Sequence, residues 1–291
     1  DDFTHLFLPT STIGDIIRRI DRLYFSVEIV DSRLEAELLL AHVLGSDRSC
    51  LLGRLRESLE PHFHGDLVQL IKRRLNREPL AYIVGWRWFY GLRFSVVPGV
   101  LIPRQETEII VDEALRLAHE RFRSLPTIAD IGCGSGSIAI SLAIGLPNAR
   151  IYAVDSSSIA VDVTRINCEK QGVSQQVNVI KGDLLEPLPE PVDLVVANLP
   201  YVRCEDYTSL QPEVLYEPRE ALDGGVGGLI HLLRMIKQLP GYINHGGAVV
   251  IECDPDQIGK LKACFEEQYP SASIMVFQDL SYQDRVIEVL L

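Results

Sequence analysis

The chain has 291 residues, enough for one large domain or two smaller ones. Its hydrophobic content of 47% and charged content of 23% are typical of a soluble globular protein. The formal net charge is −12. Residues 1–78 hold 11 basic and 13 acidic side chains, and residues 79–291 hold 17 and 27. A protein that binds duplex DNA needs a basic face to displace counterions. The excess of acidic side chains therefore disfavours a polynucleotide substrate.

Several absences narrow the class of protein further. No segment approaches the roughly 20 apolar residues that span a bilayer, and the first residues do not resemble a signal peptide. The sequence begins at Asp1 rather than at methionine, which we interpret as processing or trimming. The six cysteines form no Cys-x-x-Cys pair, which disfavours a zinc site or a disulfide framework. We therefore expect a cytoplasmic protein with no metal and no membrane contact.

The first part of the chain is predicted to be helical. Over residues 11–75, apolar residues recur at three- and four-residue spacing, as in Ile13, Ile16 and Ile20. No strand pattern interrupts them, so residues 1–78 are predicted to form a small helical bundle. A helical domain ahead of a catalytic domain is most economically a partner-recognition element, and a stabilising cap is the alternative.

Residues 79–104 have a different composition and are the predicted junction between domains. Aromatic and β-branched residues flank Gly91, which predicts a β-hairpin. Both tryptophans of the chain, Trp86 and Trp88, lie here. We interpret them as residues that pack the hairpin, in preference to an aromatic wall beside a ligand.

The start of the next predicted helix, residues 108–121, is strongly polar. Arg104, two glutamates and Thr107 stand at this point. Such a set can cap the helix, with Thr107 as the cap and the acids matching the helix dipole. It can equally bind the charged ends of a ligand, and the sequence leaves both roles open.

A strand, a glycine turn and a helix are predicted to follow one another over residues 127–143. The glycines stand at alternate positions: Gly132, Gly134 and Gly136. Glycine allows a tight turn and a close approach of the backbone to a ligand at the helix N-terminus. A dinucleotide fingerprint would have a glycine at Ser137, and no P-loop Gly-Lys-Ser/Thr follows. The compact Asp-x-Gly-x-Gly-x-Gly form remains.

Strand-like runs and helical segments alternate after this turn, which predicts a mostly parallel sheet covered on both faces. The last run, residues 284–291, follows the previous one closely and is expected to pair antiparallel. The run over residues 150–155 ends in Asp155, placed to accept hydrogen bonds from ribose hydroxyls. With the glycine turn, it resembles the S-adenosylmethionine site of Rossmann-like methyltransferases. A turn that binds nothing is the alternative.

A second motif, Asn198-Leu199-Pro200-Tyr201, follows the predicted strand 192–197 at the same edge of the sheet. A planar amide or amine nitrogen is a weak nucleophile because its lone pair is delocalised. The Asn198 carbonyl can accept one of its N–H groups, and the Leu199 carbonyl can accept the other. Tyr201 can stack on the planar group. The motif therefore predicts methyl transfer to a planar nitrogen.

Together, the two motifs resemble the HemK-type peptide chain release factor glutamine N5-methyltransferases. That family uses S-adenosyl-L-methionine to methylate the glutamine side chain of the Gly-Gly-Gln motif in class 1 peptide chain release factors. The resemblance covers nearly the whole chain and implies a Rossmann-like class I methyltransferase fold behind a helical domain that holds the partner. Other segments that carry it are residues 35–45, 79–85, 100–108, 217–225 and 284–286.

The resemblance also assigns roles to residues. It implies a cofactor site made of Gly132, Cys133, Gly134, Ser135, Gly136, Asp155, Asp183, Leu184 and Asn198. It implies a catalytic and substrate-binding motif made of Asn198, Leu199, Pro200 and Tyr201. The implied domains are a substrate-recognition domain over 1–78, a hairpin junction over 79–104 and a methyltransferase domain over 105–291.

The chain departs from the family pattern at two positions. Leu199 stands where the family has the first proline of Asn-Pro-Pro-Tyr. Its carbonyl remains and Pro200 still favours an extended conformation before it, but the fixed φ is lost. Gly227 stands where the family usually has aspartate.

Two other functions fit part of the pattern. An adenine N6 DNA methyltransferase would use the same Asn-x-Pro-Tyr chemistry, although the acidic second half disfavours it. A catalytically impaired module that binds a release factor would agree with the departures at Leu199 and Gly227. The favoured reading has a class 1 release factor as its protein partner and no direct contact with nucleic acid.

Overall fold

The computed structural model describes residue 3, residues 6–122 and residues 125–291. The helices are α1 (Ile13–Ser26), α2 (Ser32–Val43), α3 (Arg48–Gly53), α4 (His64–Leu75), α5 (Leu80–Val84), α6 (Glu108–Arg121), α7 (Ser137–Gly145), α8 (Ser158–Gln171), α9 (Ile230–Tyr242) and α10 (Ile258–Gln268). The strands are β1 (Trp86–Phe89), β2 (Leu92–Ser95), β3 (Thr127–Ile131), β4 (Arg150–Asp155), β5 (Val177–Lys181), β6 (Val192–Ala197), β7 (Ile243–Glu252), β8 (Ser273–Gln278) and β9 (Asp284–Leu290). Within the described ranges, no helix has the length and apolar character needed to cross a bilayer.

The chain divides into two compact units. We call Asp1–Gly85 with Pro212–Tyr216 the helical unit, and Trp86–Gln211 with Glu217–Leu291 the sheet unit. The division at Gly85 falls inside the predicted junction. The short segment Pro212–Tyr216 was not predicted to belong with the N-terminal helices.

The helical unit confirms the predicted N-terminal helices. A capping box starts α1, in which the Thr12 hydroxyl accepts from the Asp15 N–H and the Asp15 carboxylate accepts from the Thr12 N–H at 2.9 Å. This satisfies two backbone donors that the first turn would otherwise leave unpaired. The apolar stripe of α1 is buried, and its members are Ile13, Ile16, Ile17, Ile20 and Tyr24. This stripe shares one core with apolar side chains of α2 and α4.

A buried ion-pair cluster holds Pro212–Tyr216 in the helical unit. Arg74 on α4, whose side chain is 3% exposed, pairs with Glu35 on α2 and with Glu213. Arg77 pairs with the second carboxylate oxygen of Glu213 at 3.0 Å. Burial raises the pKa of Glu35, and Arg74 acts against that rise. Each charge in the cluster therefore depends on the others to offset the desolvation cost of its burial.

The junction begins with a helix that was not predicted. Its first residues form α5, which ends at Gly85 with φ +79°. The hairpin turns at Gly91 as predicted, and the Trp86 and Trp88 rings meet edge to face on it with their centroids 5.9 Å apart, although Trp88 is 55% exposed. Strand alternation instead turns Phe89 and Phe94 inward, where both are fully buried.

The sheet unit is built on a seven-stranded sheet in the order β5-β4-β3-β6-β7-β9-β8. Its first five strands run parallel, and β9 pairs antiparallel with both β7 and β8. This confirms the predicted Rossmann-like α/β fold with an antiparallel last strand. Apolar residues of α6 and α7 cover one face, and those of α9 and α10 cover the other. The carboxyl ends of β3, β4 and β6 meet at one edge, where such sheets bind ligands.

We expect Arg74→Met to destabilise the protein because it leaves the partly buried Glu35 carboxylate without its cation and leaves Glu213 with Arg77 alone. The free energy of unfolding should fall by about 3–5 kcal/mol. Arg73→Met is the matched control, since the Arg73 side chain is 43% exposed and its pair with Glu78 should contribute less than about 1 kcal/mol. Denaturant unfolding followed by circular dichroism measures both. Equal losses of unfolding free energy in the two variants would show that the buried cluster stabilises the protein no more than the exposed pair does.

Candidate active site

A cavity of about 500 Å³ opens at the carboxyl edge of β3, β4 and β6, within the sheet unit. Most residues assigned to the site from the sequence line it: Gly132, Cys133, Gly134, Ser135, Asp155, Asp183, Leu184, Asn198, Leu199 and Pro200. Gly136 and Tyr201 are not among the described residues that line it. The two sequence motifs therefore meet at one cavity.

Glycine occupies each position of the turn for a different structural reason. A Cβ on Gly136, which has φ +80°, would lie 2.8 Å from the Thr164 side chain on α8, so helix packing excludes one. A Cβ on Gly132 would lie 2.9 Å from a methyl carbon of Leu199. Gly134 has φ +56°, a conformation that glycine adopts without strain.

Two carboxylates flank the turn. Asp155 at the end of β4 accepts hydrogen bonds from the N–H groups of Gly134 at 2.9 Å and Ser157 at 2.8 Å. Burial raises the pKa of Asp155, and these hydrogen bonds act against the rise. Asp130 is fully buried, and its Oδ2 accepts the Ala139 N–H at 3.0 Å. Burial raises the pKa of Asp130 to about 7.

Two unpaired polar atoms lie in the glycine turn and at the end of the strand before it. Within the described ranges, Asp130 Oδ1 and Ser135 Oγ are buried and have no hydrogen-bond partner. The N-cap residue of α7 is Gly136, which has no side chain, so of the first-turn N–H groups only that of Ala139 is bound by a described side chain, that of Asp130. Buried polar groups are normally paired, so the turn offers donors and acceptors to a polar ligand.

Asp183 and Leu184 follow β5 on another wall of the cavity. The Asp183 carboxylate pairs with Arg234 on α9. Leu184 has φ +51°, and its side chain is buried in the core between the sheet and α9. A non-glycine residue in this conformation is strained by roughly 1–3 kcal/mol and is held there by its surroundings.

The loop after β6 presents Asn198 to the cavity. Asn198 Nδ2 donates to Thr107 Oγ1 at 3.0 Å, and the Tyr201 hydroxyl donates to Glu252 Oε1 at 2.9 Å. The side chain of Leu199 is buried against the glycine turn at Gly132. Sequence reasoning missed Glu252, because a single acid at the end of an apolar strand is not a local signal.

The polar start of α6 does not use Thr107 as a cap, since its side chain makes no capping hydrogen bond. Arg104 pairs with Glu217, whose other oxygen accepts the Ile102 N–H at 2.8 Å. Glu108 accepts the Tyr90 N–H at 2.7 Å. These polar side chains thus hold neighbouring loops of the sheet unit around the cavity.

Close contacts with Gly224, Gly228 and Gln257 fix the backbone of the loop after β6. A Cβ on Gly224 would lie 2.6 Å from the Pro200 carbonyl oxygen, and one on Gly228 would lie 2.1 Å from the Tyr201 carbonyl oxygen. Gln257 donates from Nε2 to the same Tyr201 oxygen at 2.8 Å. No larger residue fits at either glycine unless the loop shifts.

Gly227, one of the two departures from the family pattern, is not subject to this constraint. Its φ is +68°, and a Cβ there would meet no described atom within 4 Å. Glycine adopts this conformation without strain, and a side chain would project into open space. The departure therefore leaves the loop undisturbed.

Comparison with known proteins agrees with the geometry. The family model of the PrmC N-terminal domain matches residues 23–85, and that of the methyltransferase small domain matches residues 107–243. A release factor glutamine methyltransferase of Geobacter sulfurreducens is 43% identical over 226 residues, covering 77% of this chain and 78% of the relative. The chain belongs to the release factor glutamine methyltransferase family.

Other members of the family match over similar lengths. The protein of Moorella thermoacetica is 40% identical, covering 84% of this chain and 85% of its own. That of Chlorobaculum tepidum is 35% identical, covering 94% and 95%. A methyltransferase structure from Pyrococcus furiosus has a TM-score of 0.50 at 13% identity and covers 69% of this chain and 89% of that chain. The hMettl16 catalytic domain has a TM-score of 0.54 at 16% identity, covering 68% and 75%. The two structures show the shared fold alone.

In this methyltransferase, Gly228→Ala should destabilise the protein more than Gly227→Ala. Both positions have φ near +70°, so alanine at either carries a similar strain of about 1–2 kcal/mol. Only at Gly228 does the added methyl overlap the Tyr201 carbonyl and the Gln257 amide. The extra loss should be roughly 1–3 kcal/mol in the free energy of unfolding. Equal stability of the two variants would show that close approach does not set the glycine at 228.

Proposed function

We propose that this methyltransferase transfers a methyl group from S-adenosylmethionine to the side-chain amide nitrogen of the glutamine in the Gly-Gly-Gln motif of a class 1 release factor. The observation that carries the proposal is the presence of Asn198 and the glycine turn at one cavity. The names of relatives that are 35–43% identical support the choice of substrate.

We assign the cofactor to the turn end of the cavity. The Asp155 oxygens each accept one backbone N–H and keep a lone pair for a ribose hydroxyl. We assign the adenine to the wall formed by Asp183 and Leu184. The unpaired Ser135 hydroxyl adds a polar atom beside the turn. When bound, S-adenosylmethionine supplies an electrophilic methyl group.

The substrate amide is assigned to Asn198 and Leu199. Because Asn198 Nδ2 donates to Thr107, its Oδ1 is the end left to accept a substrate N–H. The Leu199 carbonyl is proposed to accept the second N–H. Hydrogen bonds to these two acceptors favour the pyramidal form of the nitrogen. The hydrogen bonds become stronger as positive charge develops on the nitrogen during transfer. The N–H proton is released once the nitrogen is methylated.

The helical unit is proposed to recognise the release factor. A family model matches residues 23–85 within it, and the described part of this unit carries strongly exposed apolar side chains on its surface. Phe25 is 76% exposed and Val30 is 71% exposed. These side chains are therefore available to contact a protein partner.

Transfer of radiolabelled methyl groups tests the proposal directly. The substrates are a purified class 1 release factor, its variant with alanine in place of the Gly-Gly-Gln glutamine, and duplex DNA. We expect label on the unaltered release factor alone. Label on DNA would favour adenine methylation. Binding of the release factor without any transfer would favour an impaired module.

We expect Asp155→Ala to weaken the binding of S-adenosylmethionine by about 1–3 kcal/mol, because it removes charge-assisted hydrogen bonds to the ribose. Isothermal titration measures the change. Asp162→Ala is the control, since Asp162 lies on α8 with its side chain 70% exposed. Unchanged affinity in a folded Asp155 variant would place the ribose elsewhere.

We expect Asn198→Ala to lower kcat by about 10²-fold or more, because it removes an acceptor that is used most fully in the transition state. The affinity for S-adenosylmethionine should change much less. Asn178→Ala, at an exposed position on β5, is the control and should retain full turnover. Near-normal kcat in the Asn198 variant would mean that other groups orient the substrate amide.

A further inference from the structure

Buried polar side chains from three elements meet behind the loop after β6. Asn198 Nδ2 is 3.0 Å from Thr107 Oγ1, and the Tyr201 hydroxyl is 2.9 Å from Glu252 Oε1. Thr107 is 3% exposed and Glu252 is 1% exposed. Burial raises the pKa of Glu252, and the Thr107 hydroxyl is the strongest influence against that rise. The Thr107 hydroxyl is therefore near enough to the Glu252 carboxylate to influence its charge.

The hydrogen-bonding capacity of each group restricts how they combine. The Asn198 N–H group can only donate, so the Thr107 oxygen accepts from it and keeps its own proton for another partner. An ionised Glu252 can only accept. In the described part of the chain, its Oε2 is buried with no partner at hydrogen-bond distance. The hydroxyl proton of Thr107 and Oε2 of Glu252 are thus complementary.

The direction of the hydrogen bond between Asn198 and Thr107 decides which end of the Asn198 amide faces the cavity. The two ends of an asparagine amide have nearly the same shape and opposite hydrogen-bonding character. If the Thr107 hydroxyl donated to Asn198, Oδ1 would turn toward Thr107 and the NH₂ group would face the cavity. A donor in that place would repel the N–H group of a substrate amide.

We propose that Glu252 and Thr107 are positioning residues that fix Asn198 with Oδ1 toward the substrate. Glu252 attracts the hydroxyl proton of Thr107, and the oxygen of Thr107 then accepts the Asn198 NH₂ group. Glu252 also accepts from Tyr201, so one carboxylate orders both ends of the motif. The proposal rests on the proposed function, because it concerns the acceptor that would receive the glutamine amide.

The fold brings these residues together by strand pairing. β6 and β7 are parallel neighbours, with Ala197 opposite Ile251, so the next residues are Asn198 and Glu252. Thr107 comes from the residue before α6. A carboxylate at the end of β7 is therefore in register with the loop whose asparagine it orients.

The kinetic test uses variants that separate shape from hydrogen-bonding direction. Thr107→Val keeps the shape and removes the hydroxyl, so kcat with the release factor should fall about tenfold or more. Thr107→Ser retains the hydroxyl and should keep kcat within about threefold of the original. Neither should move the dissociation constant for S-adenosylmethionine by more than about threefold.

Glu252→Gln is the more discriminating variant. Its carbonyl can still accept from Tyr201, but its NH₂ group would then donate to Thr107 and reverse the hydroxyl. We expect kcat to fall about tenfold or more although the size and the number of hydrogen bonds are conserved. A purely structural role for Glu252 predicts unchanged kcat, since the substitution is nearly isosteric.

A spectroscopic measurement makes the outcome independent of activity. The side-chain amide signal of Asn198 in a ¹⁵N-labelled protein is assigned by its loss in Asn198→Ala. It should be unchanged in Thr107→Ser and shifted in Thr107→Val and Glu252→Gln. Unchanged signals and kcat in the last two variants would overturn the proposal. If the original protein transfers no methyl group to a release factor, the proposed function fails and the amide signals still decide the orientation of Asn198.

Discussion

The close approach of backbone segments around the loop after β6 is the constraint on which the site depends. Gly132 approaches Leu199 from the turn after β3, and Gly224 and Gly228 approach the Pro200 and Tyr201 carbonyls from behind. At Gly224 and Gly228 the neighbouring backbone leaves no room for a Cβ, and at Gly132 and Gly228 the positive φ also favours glycine. The loop is thereby held between two glycine-rich segments, and the position of its asparagine follows from that confinement.

Buried carboxyl groups set the electrostatics of the same edge. Burial raises the pKa of Asp130, Asp155 and Glu252, which shows that each is held at a cost in solvation. Asp155 recovers part of this cost from backbone N–H groups, and Glu252 recovers part from hydroxyls and from Arg285. Under the proposed function, a cationic sulfonium cofactor adds favourable charge to an edge that is already rich in carboxylates.

Local patterns predicted the features that are local in the structure. The bounds of α6, β4 and β6 match the sequence analysis residue for residue, because each has a clear period and a terminating residue. The meeting of the glycine turn with Asn198 followed from the rule for parallel strands. The contact between Thr107 and Asn198 and the pairing of Arg74 with Glu213 could not be predicted, since neither residue pair has a signal in its own segment. Composition alone also did not decide that Phe89 and Phe94, and not Trp88, belong to the hairpin face that turns inward.

The return of Pro212–Tyr216 to the helical unit has a consequence for the order in which the protein acquires its structure during synthesis. The N-terminal helices leave the ribosome long before Glu213 is made. Until then, Arg74 has Glu35 but lacks its second carboxylate, and Arg77 lacks the partner found in the finished protein. Pairings between distant parts of a chain form late because a long loop must close first. The N-terminal helices can therefore collapse early on their apolar stripe, but their ion-pair cluster is completed only after most of the sheet unit has been translated.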